Sequence, residues 1–298
     1  MRHQPAIELK NLTKRYGKDR GAEDISFNVF PGEVFGFLGP NGAGKSTVMR
    51  TMLGLIEATS GSSYILGRDS LSHNSALMAD IGYLPGALAL YKNLTGREYL
   101  KYIARLRKVN CDAEVKTLAE RLKLDLDKHI HDLSKGNRQK VGVIQAFMHQ
   151  PKVLILDEPT SGLDPLIQRE FESILDEVKA RGAAVLLSSH VLSEVEHLAD
   201  RIAVISEGTI VLNESIEILK SKVPHTISFT FPTAPNPANY AHFSSNIEVI
   251  GNSLTCSITG SEALLLKQAA ADGALTVRTN EPSLEQIFLQ LIDSEVLS

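Results

Sequence analysis

Only two cysteines, Cys111 and Cys256, occur in the 298 residues, far apart in the chain. They build no disulfide framework, and a pair of buried thiols fits a reducing compartment. Long apolar runs are missing as well. The longest, VLIL and AAVLL, have the length of buried strands and fall short of the roughly 18–20 residues that cross a bilayer. The opening segment MRHQPAIELKNL lacks the continuous apolar core of a secretory signal. Nor is there an excess of basic charge: the formal net charge is −4, which argues against a broad nucleic-acid surface. His129 and His131 have no Cys/His cluster around them, so their spacing is not read as a metal site. No internal repeat or low-complexity segment is present. If this chain serves a membrane, it does so through a partner that spans it.

What remains is an ordinary globular composition, 43% hydrophobic and 22% charged, in a chain long enough for one large α/β domain and a smaller one. AIELKNLTKRYG and AEDISFNVFPGE alternate apolar and polar residues, as half-buried antiparallel strands do. EVFGFLGPNGAGKSTVMRTMLGL reads as strand, Gly-rich turn and helix, with Val48, Met52, Leu55 and Ile56 expected on the buried face. Residues 94–133 read mostly as amphipathic helices. KVLIL and AAVLLSSH are continuous apolar strands with the helical FESILDEVKARG between them. That alternation implies a parallel sheet covered on both faces. RIAVISEGTIVLN reads as a hairpin around Gly208. Near Val223 the composition shifts. Beyond a Pro/Asn-rich loop the expectation is a strand over 247–258, a helix over 261–271, a strand over 275–279 and a closing helix from Pro282, together a small α+β domain.

The run Gly39, Pro40, Asn41, Gly42, Ala43, Gly44, Lys45, Ser46, Thr47 matches GxxxxGKS at a strand-to-helix junction. Glycines let successive backbone N–H groups face inward and cradle phosphates, and the helix N-terminus adds its positive dipole end. Lys45 reaches β- and γ-phosphates, and the Ser46 hydroxyl suits Mg²⁺. The phosphates of a nucleotide and Mg²⁺ are therefore the expected ligands. Asp157 and Glu158 end an apolar strand. Such a pair is either a solvated turn or, beside a phosphate loop, a metal-holding acid and a base for water. Neighbouring strand residues point to opposite faces, so the two acids are expected to take separate jobs.

LSKGNRQKVGV (residues 133–143) resembles the signature motif of ATP-binding cassette (ABC) ATPases, and SGLDP and SSH follow LDEP in that family's order. The resemblance spans about residues 7–219. It implies a P-loop NTPase of the ABC class: a parallel sheet core, an antiparallel β subdomain and a helical subdomain at about 88–150. These together form a nucleotide-binding domain over 1–221, followed by an accessory α+β domain over 222–298. It further implies a head-to-tail dimer, homo- or heterodimeric, enclosing two ATP molecules. By position, Tyr16 matches the adenine-stacking aromatic, Asp157 the Mg²⁺ acid, Glu158 the general base and His190 the γ-phosphate contact. Ser134, Lys135, Gly136 and Asn137 match the signature that faces the opposite nucleotide, and Asp164 the acid that communicates across the dimer. Lys135 and Asn137 depart from the commonest LSGGQ; Lys135 adds positive charge, and Asn137 keeps an amide on a shorter arm.

The ending EPSLEQIFLQL resembles bacterial export cassettes that work with separate permease subunits. The resemblance therefore implies a cytoplasmic ATPase held at the inner face of the membrane by a transmembrane permease. One departure stands out in IGYLPGALALY: Gly86 occupies a place usually taken by Gln or Glu, which contacts Mg²⁺ or its water. Water can fill such a position, so the expectation is intact chemistry with an altered joint toward the permease. The alternative is a soluble, non-transport cassette protein, or a regulatory binder with impaired turnover. Soluble cassette proteins generally carry two cassettes or long coiled coils, and this chain has one cassette and no sustained heptads.

Overall fold

The computed structural model describes residues 4–17, 19–72, 75–222, 225–244, 246–258, 262–280 and 283–287. The chain divides into two compact units between Asn213 and Glu214.

The first unit is built on a six-stranded sheet in the order Thr209–Ser215, Arg201–Ser206, Val34–Leu38, Ala184–Ser189, Val153–Asp157, Ile81–Leu84. The pairings among the last five strands are parallel. Three of these strands, Val34–Leu38, Val153–Asp157 and Ala184–Ser189, are buried at every residue. This is the physical meaning of their unbroken apolar runs: both sheet faces are covered, so no residue has to face water. Arg201–Ser206 and Thr209–Ser215 form the expected hairpin, turning through Glu207 and Gly208 with φ of 47° and 81°.

A second sheet, in the order Asp19–Val29, Ile7–Tyr16, Ser60–Ile65, Arg68–Asp69, is antiparallel throughout. Phe27 of this sheet stacks on Phe35 of the parallel one with ring centroids 5.0 Å apart, so the two sheets share one apolar core. Between residues 88 and 150 lie the helices Gly96–Arg107, Asp112–Arg121 and Lys135–Phe147. The first opens with a capping box, in which Thr95 and Glu98 each accept the other's backbone N–H.

One expected helical face needs correction. The helix after the phosphate loop is Lys45–Met52, with Val48, Met49 and Met52 buried; Leu55 lies beyond its end and is 56% exposed. Leu53 already serves as the C-cap, so the 3.6-residue period extrapolated through residue 55 runs past the helix.

The second unit carries a four-stranded antiparallel sheet in the order Asn246–Ile250, Ser253–Ile258, His225–Thr230, Thr276–Asn280. The single strand expected over 247–258 is two strands joined by a Gly251–Asn252 turn, Gly251 having φ 58°. Gly-Asn between alternating residues is a hairpin signal, and this one interrupts what otherwise looks continuous. Ile227, Phe229, Leu254, Cys256 and Leu265 form its core around the fully buried Tyr240 ring, whose hydroxyl donates to Asp272 at 2.9 Å. Of the expected closing helix, Ser283–Ile287 is described: Ser283 and Gln286 exchange side-chain-to-backbone bonds at 3.0 and 3.3 Å, and Leu284 and Ile287 are buried. The rest of that segment, including Pro282 and residues 288–291, lies outside the described residues. Both cysteines are free and buried.

His149, just past the Lys135–Phe147 helix, contacts the Ile81 carbonyl through Nε2 at 3.1 Å, and its Nδ1 is enclosed with no hydrogen-bond partner. Burial, reinforced by the Arg107 guanidinium and opposed by the Ile81 bond and Asp80, pulls its pKa from 6.5 down to about 4. The folded chain thus refuses a proton that the unfolded chain accepts, so this group's contribution to stability is lost as pH falls from about 6.5 toward 4. We expect wild type and His149→Gln, compared by thermal melts at steps between pH 7 and 4, to differ in their pH slope. The wild type should lose more of its melting temperature across that window.

Candidate functional site

The phosphate loop joins the strand Val34–Leu38 to the helix Lys45–Met52. Gly44 is the helix N-cap, with φ 109°, and a Cβ there would sit 2.5 Å from the Gly21 carbonyl oxygen. Only glycine combines that backbone with that approach. The helix therefore aims its unsatisfied N–H groups at a cavity of about 260 Å³, lined by Pro40, Asn41, Gly42 and residues 44–47 on one side and by Tyr16, Gly21, Asp157 and Glu158 on the others. Gly39 and Ala43 sit behind this lining; Ala43 is buried, and Gly39 contributes its carbonyl to Lys45.

Lys45 is 6% exposed. Its ammonium donates to the carbonyls of Gly39 at 2.5 Å and Pro40 at 3.2 Å, and stands 3.6 Å from Glu158 Oε1. Asp157 is 1% exposed, and its carboxylate is held by hydroxyls from two directions. Ser46 Oγ donates to Oδ2 at 2.6 Å, and Ser188 Oγ donates to Oδ1 at 2.6 Å. The Gly86 N–H donates to the same Oδ2 at 3.4 Å. A Cβ at residue 86 would lie 3.0 Å from Oδ2 and 3.2 Å from Cγ of Asp157. Position 86 thus meets the acid through its main chain, and an added Cβ would fit tightly against that carboxylate.

Alternation along the strand predicts that Asp157 and Glu158 face opposite ways. Both line the cavity, because the strand ends at Asp157 and Glu158 takes a left-handed backbone with φ 52°. Their partners differ all the same. Glu158 Oε2 lies 2.8 Å from His190 Nδ1; a carboxylate only accepts, so that nitrogen carries the proton. Glu158 Oε1 is shielded from solvent and has no hydrogen bond, with Lys45 as the opposing charge. His190 itself is outside the cavity lining and touches the site through Glu158.

The donor set suits a polyphosphate with a hard cation. The Ser46 hydroxyl and the Asp157 carboxylate put two oxygens side by side at the cavity wall, the ligand type Mg²⁺ takes, and the loop N–H groups with Lys45 face the remaining space. Tyr16 is 49% exposed at the cavity edge, leaving ring surface open for stacking.

Ser134, Lys135, Gly136, Asn137 and Asp164 do not line this cavity. Ser134 caps the helix Lys135–Phe147 by accepting from Asn137 N at 3.2 Å. Asp164 caps Pro165–Ala180 by accepting from Leu166 N and Ile167 N, both at 3.1 Å. Three supporting residues escape the sequence reading. Ser188 anchors Asp157. Glu194 accepts from Thr160 Oγ1 at 2.8 Å and Ser189 Oγ at 3.2 Å. Gln139 is buried against the backbone that follows Glu158. Ser188 and Gln139 fall inside recognisable motifs, but no spacing rule says which distant group each one meets.

Comparison with known proteins agrees with this geometry. The ABC transporter family model matches residues 22–161. A bacitracin transport ATP-binding protein of Bacillus licheniformis is 33% identical over 297 residues, 96% of this chain and 97% of its own. An uncharacterized ABC transporter ATP-binding protein of Bacillus subtilis (strain 168) is 41% identical over 210 residues, 69% of this chain and 68% of its own. The solved ATP-binding subunit of an ABC transporter superposes with a TM-score of 0.68 at 31% identity, covering 73% of this chain and 92% of that one. With a phosphate loop, two acids and a signature helix in this arrangement, and with relatives matched along most of their length, the chain belongs to the ATPase subunits of ABC transporters.

Proposed function

We propose that this chain hydrolyses MgATP in a head-to-tail dimer and thereby drives export through a separate membrane permease. The observation that carries the chemistry is the Glu158 carboxylate. One of its oxygens is shielded and free of hydrogen bonds beside Lys45, the other is tied to His190, and the residue lines the phosphate-loop cavity. A base for water needs that combination: a spare acceptor in a partly dehydrated site, and a second contact that orients it.

In this reading the ATP triphosphate lies along the loop N–H groups, and Lys45 leaves its own loop carbonyls for the β- and γ-phosphates. Tyr16 stacks on adenine. Ser46 and Asp157 hold Mg²⁺, which when bound neutralises charge on the phosphate oxygens. Glu158 takes a proton from the attacking water as its oxygen bonds to the γ-phosphorus. The bond to the β-phosphate oxygen breaks, and ADP and phosphate leave. His190 holds Glu158 in place and offers its imidazole to the γ-phosphate. Ser134, Lys135, Gly136 and Asn137 sit at a helix N-terminus outside this chain's own cavity, which supports their use on a partner's nucleotide. Asp164, one residue before a helix and exposed, suits a contact across the dimer.

Export is supported by the relative named for bacitracin transport, which matches both units of this chain, and by a Streptococcus pyogenes relative named for lantibiotic transport, 37% identical over 213 residues. Among the described residues no helix is long and apolar enough to cross a membrane; the transport names of these relatives are what support a place at the inner membrane face through a permease.

Glu158→Gln is expected to cut turnover by about a hundredfold or more while ATP binding persists, so that size-exclusion chromatography with ATP shows an accumulated dimer. Lys45→Ala should abolish hydrolysis; normal phosphate release from either variant refutes the roles given. Gly86→Ala should crowd Asp157 and raise the Mg²⁺ concentration for half-maximal MgATP binding by about tenfold, as disturbance of a metal ligand's support does. An unchanged Mg²⁺ requirement would show that the loop after Pro85 does not hold this acid.

A further inference from the structure

The residue that carries Glu158 is held from an unexpected direction. Gln139 lies in the second turn of the helix Lys135–Phe147, is 6% exposed, and uses both hydrogens of its amide on backbone carbonyls. Its Nε2 donates to the Glu158 oxygen at 3.1 Å and the Pro159 oxygen at 3.0 Å. Two further contacts tie the same helix to the same segment. A Cβ on Gly136 would stand 2.3 Å from the Gly162 carbonyl oxygen, so helix and segment touch backbone to backbone, and Lys135 Nζ reaches Ser161 Oγ at 3.4 Å. The segment needs holding: Glu158 is a non-glycine residue at φ 52°, a conformation that persists only where its surroundings enforce it.

We propose that Gln139 is a positioning residue through which the signature helix sets the aim of Glu158. The inference rests on the dimeric reading above, in which Ser134 and Gly136 touch the partner's nucleotide while Glu158 serves the nucleotide on this chain's own loop. Ser134 caps the helix that bears Gln139, so the helix end that meets one nucleotide and the amide that holds the base for the other belong to one rigid element. Docking the helix on the partner's ATP then moves Gln139, and Gln139 moves the backbone of Glu158. Each base is thereby made dependent on occupancy of the opposite site.

The test uses the full chain with Gln139→Met, which keeps length and volume and removes both donors. Turnover at saturating ATP should fall at least tenfold, and affinity for a fluorescent ATP analogue should stay within twofold. The Hill coefficient for ATP should drop toward 1 from the wild-type value. Placed on a Glu158→Gln background, the same substitution should cause no further loss in single-turnover hydrolysis, because the residue through which it acts is already disabled. Gln139→Asn, which retains an amide on an arm too short to span both carbonyls, gives the same comparison if the Met variant does not fold. Turnover within twofold of wild type, a loss that multiplies with Glu158→Gln, or an unchanged Hill coefficient overturns the proposal. Hydrolysis that survives Lys45→Ala would instead overturn the site reading. Lys45-dependent hydrolysis indifferent to Gln139→Met overturns this inference alone.

Discussion

The first unit hangs on one buried carboxylate. Asp157 is almost wholly removed from water, and a charge so placed is tolerable only when hydrogen bonds replace its hydration. The replacements come from three separate stretches of chain: Ser46 on the helix of the phosphate loop, Ser188 on the neighbouring parallel strand, and the Gly86 N–H on the loop beyond Ile81–Leu84. Satisfying this acid therefore fixes the phosphate loop against the sheet and brings the proline loop to the same point. Loss of the Ser188 hydroxyl would leave Oδ1 without its side-chain donor, and loss of the Ser46 hydroxyl would leave Oδ2 with the 3.4 Å Gly86 contact alone.

The step from Asp157 to Glu158 turns that anchor into a chemical site. A regular strand would send Glu158 to the far face. The left-handed backbone at residue 158 folds it back so that two acids share one cavity, one saturated with hydrogen bonds and one with an oxygen in reserve. Saturation suits a ligand that must stay put, and an unsatisfied oxygen suits a group that must accept a proton. The division of labour between adjacent carboxylates thus comes from backbone conformation and partner supply.

Legibility in the sequence followed how local the cause was. The parallel sheet could be read because residues 153–156 and 184–187 are buried on both faces and are accordingly apolar without interruption. The phosphate loop could be read because its function needs consecutive residues. Periodicity does not announce where a helix stops, so the face extrapolated through Leu55 overruns its helix, and residues 247–258 look like one strand because a Gly-Asn turn hides between two strands of like pattern. Glu158's turn, the clasp of Ser188 on Asp157 and the amide of Gln139 were illegible for a different reason. The turn is the backbone angle of a single residue, and the other two are meetings of segments 19 to 31 positions apart in the chain, which no one-dimensional pattern records. Gly86 is the sharpest case: a missing side chain in the sequence, it is a main-chain donor to a buried acid in the fold.

Charge accounting explains why such a site would want its nucleotide and its cation together. The cavity holds two carboxylates against one ammonium, with the partial positive end of the Lys45–Met52 helix making up part of the difference. A triphosphate entering alone would draw Lys45 from Gly39, Pro40 and Glu158 toward itself, leaving both acids to face added negative charge at short range. Ser46 and Asp157 are the residues that would hold a divalent cation, whose charge would relieve that repulsion on the Asp157 side. Glu158, on the other side, keeps an oxygen with no hydrogen-bond donor and Lys45 as its one opposing charge, an arrangement that suits a proton acceptor better than a second metal ligand.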